Sequence, residues 1–282
     1  MALGLFSFNT EYSIRPDVLA RTAEDRGYES IWFPEHTHIP AARATPFPGL
    51  EEMPREYAHM ADPFASSAAA AAVTTRIKVG TSISLVNQHD PITLAKAVAT
   101  IDWISRGRFL FGVGAGWNVE EMNDHGVEFE ERWDRLWENL EAMQALWTQE
   151  EATYQGEYVK FDRAWSYPKP VQRPHPPILL GVFDSRLGRA RVARHAQGWI
   201  PISFDLERTE RSMADVRNRM EALGRDPAQL TTSILLLAPG TDEDMVRKAL
   251  DCGADRVILR IPTENEAKVL EFMDRFQPFI GP

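Results

Sequence analysis

Apolar residues along this chain fall into short runs that alternate with longer stretches of three-and-four spacing. The run LGLFSF (3–8) precedes a helix that opens after Pro16, and SIWF (30–33) precedes one through DPFASSAAAAAV. IKVGTSISL (77–85) leads to a helix starting at Pro91, where Asp90 is a natural cap and proline suits the first helical position. RFLFGVG (108–114) is followed by a long helix carrying Phe129, Trp133, Leu136, Trp137, Leu140, Met143, Leu146 and Trp147. That spacing marks a core-facing stripe and needs no cofactor to explain it. A less regular stretch follows and ends in YPKPVQRPHPP, whose prolines exclude helix. The series then resumes. ILLGV (178–182) precedes a helix over about Ser185 to Ala196, and GWIPIS (198–203) one carrying Val216, Met220 and Leu223. TTSILLLA (231–238) precedes a helix opened by Thr241, with Asp244 three residues on as a loose capping box. DRVILR (255–260) precedes the last helix, through Leu270, Met273 and Phe276.

Eight β-runs, each followed by a helix, predict an α/β protein. Many runs are unbroken rather than alternating, as parallel strands buried on both faces require. Eight such units in 282 residues predict a (β/α)₈ TIM barrel, with residues 1–282 as a single domain. A doubly wound sheet would place its glycine loop after the first strand, whereas Gly112-x-Gly114-x-Gly116 follows the fourth. The dinucleotide fingerprint also wants a third glycine where this chain has Trp117.

Charge and composition narrow the partners. A formal net charge of −10 argues against a nucleic-acid backbone or an anionic membrane surface. A small-molecule substrate is the expected partner. The single cysteine, Cys252, rules out an internal disulfide and reads as a small buried hydrophobe. The first residues lack a basic segment followed by a long apolar core, so no signal peptide is expected and a cytoplasmic location is.

In a barrel of this kind the active site lies at the C-terminal strand ends. Those ends supply Phe8 and Asn9, then Pro34-Glu35-His36, Ser82-Ile83-Ser84 and Gly114-Ala115-Gly116-Trp117. The later strands supply Gly181 to Ser185, Pro201 to Phe204, Ala238 to Gly240, and Arg260. One histidine, one acid, small residues and a tryptophan on one rim suit a flat aromatic ligand, which glycines allow to approach closely.

The segments YESIWFPEH, VGTSISL…HDPITLAKAVATIDWISRGRFLFGVGAGW, EEMNDHGVEFEERWDRLWENLEAMQALWT and PKPVQRPHPPILLGVFDS…HAQGWIP resemble the luciferase-like monooxygenase family. The likeness runs over about residues 3–240 and is strongest to the branch that uses coenzyme F420. It implies a deazaflavin ring over the strand ends, backed by a bulge with a non-prolyl cis peptide at Ser82–Ile83. It implies His36 at the reacting edge, exchanging a proton as hydride moves, with Glu35 as an orienting or structural acid. The ring would lie against Gly114, Ala115 and Gly116, and the phosphate against Gly181, Val182 and Ser185 at a helix N-terminus. Phe8, Asn9, Trp117 and Phe204 would line the substrate pocket. Asp184 interrupts the family's usual glycine-rich phosphate loop. It is expected to cap the helix, with Arg186 and Arg189 offsetting its charge. Trp117 stands where the sugar-phosphate dehydrogenase branch has an acid, which favours a hydrophobic substrate. Glu120 is open to a plain reading as a first-turn helix acid. Family members are often dimers, so a homodimer is possible.

Three other readings stand beside this one. FMN with oxygen is the nearest alternative cofactor chemistry. His36-x-His38 also allows a metal-dependent hydrolase, although no metal is expected, because strands five to eight end without histidine. A non-catalytic cofactor carrier would present the same surface.

Overall fold

The structure is a computed structural model that describes residues 2–281 apart from Leu50, Ser203, Phe204 and Pro239. In chain order its elements are β1 (Ala2–Phe6), α1 (Pro16–Asp25), β2 (Ser30–Phe33), α2 (Pro63–Ala72), β3 (Lys78–Thr81), β4 (Ser84–Leu85), α3 (Pro91–Ser105), β5 (Phe109–Gly114), α4 (Val119–Asp124) and α5 (Arg132–Thr148). There follow β6 (Ala152–Gln155), β7 (Lys160–Ala164), β8 (Ile178–Gly181), α6 (Arg186–His195), β9 (Gly198–Ile200), α7 (Leu206–Ala222), β10 (Thr231–Leu236), α8 (Glu243–Asp251), β11 (Arg256–Arg260) and α9 (Glu266–Phe276). β3 and β4 are two halves of one barrel strand, and β1 pairs with both β2 and β11. Every barrel pairing is parallel, so eight strand positions close on themselves, as the periodicity predicts.

Several local details differ from the sequence reading. The irregular stretch ahead of the proline-rich segment contains an antiparallel hairpin, β6–β7, whose strands are short and largely exposed and so carry no clear apolar period. Asp242, not Thr241, caps α8 and accepts from the Met245 amide at 2.8 Å. Leu223 lies beyond α7 and is exposed. On α5 the stripe divides. Leu136, Leu140, Met143, Leu146 and Trp147 are buried, whereas Trp137 is half-buried and stacks on His195 of α6 at 4.1 Å. Cys252 is buried and its thiol donates to the Ala249 carbonyl. Among the described residues no helix is long and apolar enough to cross a membrane.

Side chains alternate between two apolar layers. Phe109, Phe111 and Val113 face the helices, whereas Phe6, Trp32, Leu110, Leu179, Leu235 and Ile258 fill the barrel. Trp32 is fully buried and donates its indole N–H to Ser30 Oγ at 2.8 Å. Gly80 gives it room, because a Cβ there would stand 2.8 Å from the indole. At the N-terminal end of the barrel, Arg256 holds Glu29 through two hydrogen bonds of 2.6 and 2.7 Å, and Lys78 adds a third at 2.7 Å. Burial opposes the charge of Glu29. The hydrogen bonds and charges of Arg256 and Lys78 outweigh that, and the carboxyl is held down at about 2.

A carboxyl depressed on folding stabilises the protein above its unfolded pKa of about 4.3, and that stabilisation is lost as pH falls. Glu29→Gln is therefore expected to lower unfolding free energy at pH 7 by about 3 kcal/mol, since it strips a buried cation of its partner. It should also flatten the loss of stability between about pH 4 and pH 2, read by denaturant melts across pH.

Candidate active site

Two neighbouring residues after β2 turn in opposite directions. Glu35 is buried and points its carboxylate at β4, accepting from Ser84 Oγ at 2.9 Å and the Leu85 amide at 2.6 Å. Its other oxygen bonds His89 Nε2 at 2.7 Å. Burial works against a charged His89, but the hydrogen bond and charge of Glu35 prevail and raise its pKa. The hydrogen bonds of the Glu35 carboxylate go to β4 and His89 and not to His36. It orients the strand end, not the imidazole.

His36 turns instead toward α4. Gly116 has φ +82°, a left-handed turn suited to glycine, and beyond it Asn118 caps α4 by accepting from the Glu121 amide at 3.4 Å. This brings Glu121 to His36. Glu121 Oε2 lies 2.6 Å from His36 Nδ1, and Oε1 accepts from the Thr37 amide at 3.1 Å. Both side chains are buried, at 6% and 1% exposure. Trp117 donates its indole N–H to His36 Nε2 at 3.2 Å. An indole nitrogen can only donate, so Nε2 is the acceptor and the imidazole proton sits on Nδ1, facing the carboxylate.

Aromatic rings enclose this pair. Tyr57 lies 5.6 Å from His36 and Phe47 packs edge-on against Trp117 at 5.4 Å. Phe47 and Phe8 flank Tyr57 at 4.8 and 5.1 Å. Burial pushes the Tyr57 hydroxyl up to about 12, against the opposing charge of Arg260, so it remains protonated. Glu120 is more than a first-turn acid. It accepts from the amides of Ala44 and Thr45 and from Thr45 Oγ1, tying the loop that carries Phe47 to α4.

The remaining predicted residues fall in three groups. Ser82–Ile83 is a cis peptide between β3 and β4, and the Ser82 hydroxyl is buried without a partner. Phe8 is buried in the barrel and forms its upper filling. Gly114 and Gly181 face Ile83, since a Cβ would stand 1.9 and 2.3 Å from its side chain. These glycines make room for Ile83, and it is Ile83 that presents an apolar surface at the mouth. The second group points elsewhere. Ala115 packs in the outer layer, and Asn9, at φ +47°, gives its amide to Ser66 on α2. Phe204 lies outside the described residues. The third group surrounds the start of α6. Ser185, not Asp184, is its cap and accepts from the Gly188 amide at 2.9 Å. Asp184 is drawn aside by Arg189, Arg208 and Ser212, which hold its carboxyl low against the effect of burial. The acid therefore brings no unpaired negative charge to the loop. Arg189 offsets it, and Arg186 is exposed at the first helical position. The Val182 carbonyl is taken by the indole of Trp199 at 3.2 Å.

His36 and His38 diverge, the second bonding Asp124 at 2.9 Å, so the His-x-His spacing does not gather them on one centre. Sequence reasoning missed Glu121, Tyr57, Phe47 and His89. For Glu121 the only local signal was misleading, since Asn118 with an acid three residues on reads as a capping box.

A family model described as luciferase-like monooxygenase matches residues 17–271. An uncharacterized protein of Mycobacterium tuberculosis is 40% identical over 280 residues, covering 98% of this chain and 97% of that protein. An FMNH(2)-dependent dimethylsulfone monooxygenase of Pseudomonas putida is 30% identical over 176 residues, 61% of this chain and 48% of that protein. The solved structure of an F420-dependent secondary alcohol dehydrogenase, in complex with an F420-acetone adduct, matches with a TM-score of 0.77 at 18% identity. It covers 100% of this chain and 99% of its own, and the likeness is one of fold.

The glycines facing the mouth are expected to differ in tolerance. At Gly112 a Cβ would meet the Thr81 backbone carbonyl at 1.9 Å, which cannot yield without moving β3. At Gly114 it would meet the flexible end of Ile83. Gly112→Ala should thus cost about 3 kcal/mol and Gly114→Ala about 1, measured by denaturant unfolding.

Proposed function

The chain belongs to the luciferase-like monooxygenase family, and from that premise we propose that it is a coenzyme F420-dependent oxidoreductase. In this reading it moves hydride to or from a small hydrophobic molecule at the barrel mouth. The observation that carries the reading is the buried His36–Glu121 pair, whose second ring nitrogen accepts the indole N–H of Trp117.

A deazaflavin, when bound, supplies the ring carbon that gives or takes hydride. Ser82 suits such a ring, because its buried hydroxyl lacks a partner, and Ile83, in the space that Gly114 and Gly181 leave, would form the seat. Val182, Ser185 and Arg186 would hold the phosphate end at the N-terminus of α6. The proton chemistry belongs to His36. A substrate hydroxyl that reaches Nε2 in place of the indole leaves its proton there, and the Glu121 carboxylate stabilises the imidazolium that results. In the opposite direction the same nitrogen returns the proton to the developing alkoxide. Phe8, Phe47, Tyr57 and Trp117 exclude water and favour an apolar substrate. Arg260, the cation on the last strand end, is already paired with Glu56.

The second reading keeps the ring seat and replaces the deazaflavin with FMN and oxygen, and the sulfone monooxygenase relative favours it. Titration of the purified protein with each cofactor, followed in the visible spectrum, separates the two. F420 is expected to bind; tight FMN binding with no F420 binding would overturn the proposal. With F420 and a turned-over alcohol or ketone, His36→Gln should lower kcat by about 10²-fold or more. Its cofactor Kd should stay within about twofold of wild type, because the lost group acts on substrate rather than on the ring.

A further inference from the structure

Glu35 is a buried carboxylate with no part in the proposed proton chemistry, and its hydrogen bonds run to Ser84, Leu85 and His89, all beyond Ile83. Its Oε2 takes the Leu85 amide at 2.6 Å and Ser84 Oγ at 2.9 Å, and its Oε1 bonds His89 at 2.7 Å. On the other side of Ile83, the Ser82 amide donates to the Phe33 carbonyl at 2.9 Å. Residue 83 is therefore suspended between two ties to the end of β2, one from Phe33 and one from Glu35. Its side chain fills the space that Gly114 and Gly181 leave open. His89 is oriented in turn, with Phe64 edge-on to its ring at 5.6 Å. A buried carboxylate is an expensive way to gain stability alone, while the fixed geometry of its hydrogen bonds specifies one arrangement.

We propose that Glu35 and His89 form a positioning pair that sets the height of Ile83 in the barrel mouth, and through it the seat of the cofactor ring. The clause about the ring rests on the proposed function; the placement of Ile83 does not. Neither residue touches the reacting atoms. They act through the backbone at 84–85, on the side of β2 opposite to His36.

Glu35→Gln keeps the shape of the side chain and removes its charge, and His89→Gln keeps a donor at Glu35 and removes the imidazole. Both are read in two ways. In the ligand-free protein, hydrogen exchange at the Leu85 amide should speed up by about tenfold in Glu35→Gln, since a charged acceptor is lost. With cofactor, the Kd of F420 or FMN, whichever the wild type binds, should rise by about tenfold. The visible band of the bound ring should also move toward that of the free cofactor. A merely structural role would lower the melting temperature without moving that band. Glu35→Gln with unchanged Leu85 exchange, or with wild-type Kd and band position, overturns the proposal. If the Gln variant does not fold, His89→Gln decides by the same measurements. If the wild type binds neither cofactor, the proposed function fails, and the Leu85 exchange alone judges Glu35.

Discussion

The cross-section of a closed eight-stranded barrel is fixed, and the rest of this structure depends on how that space is shared. Side chains pointing inward from neighbouring strands compete for one axis. Here the indole of Trp32 takes the middle level, and Gly80 gives way to it. One level higher Ile83 takes the axis, and Gly114 and Gly181 give way. The glycines are thus the counterparts of two large residues. Each glycine is small because a specific neighbour is big, and the filled axis leaves chemistry only at the rim.

At that rim, one dipeptide divides two tasks. Glu35 looks back into the strand ends and Glu121 looks forward to His36, so adjacent residues 35 and 36 each meet a carboxylate–imidazole contact in different surroundings. The two glutamates of α4 divide their work similarly. Glu121 takes the imidazole and the Thr37 amide, and Glu120 takes the backbone of residues 44 and 45. A short helix thereby ties the imidazole and the aromatic wall above it to one frame. The same logic tames Asp184, whose charge is spent on Arg189 and Arg208 and not on the loop.

Elements with a strong local cause were readable in advance. Asp90 and Pro91 start α3 as their types require, and the Asp90 side chain accepts from the Thr93 amide at 2.8 Å. The barrel strands with unbroken apolar runs also stand where their patterns place them. The β6–β7 hairpin did not announce itself, because its faces are mostly wet and its strands lack contrast. Asp184 looked like a cap because it precedes a helix, but Arg189 and Arg208 offer it more than one backbone amide does.

The sequence by itself determined the succession of strands and helices, the closure of the barrel and the rim on which function must sit. Those follow from periodicity, which is a local property repeated eight times. Only the tertiary structure decided which acid serves His36. Glu35 is its neighbour in the chain, yet backbone alternation sends the two side chains apart, and Glu121 arrives from 85 residues away. It decided, too, that Gly114 and Gly181 answer to Ile83, because room inside a barrel is settled by strands that are distant in sequence and adjacent in space.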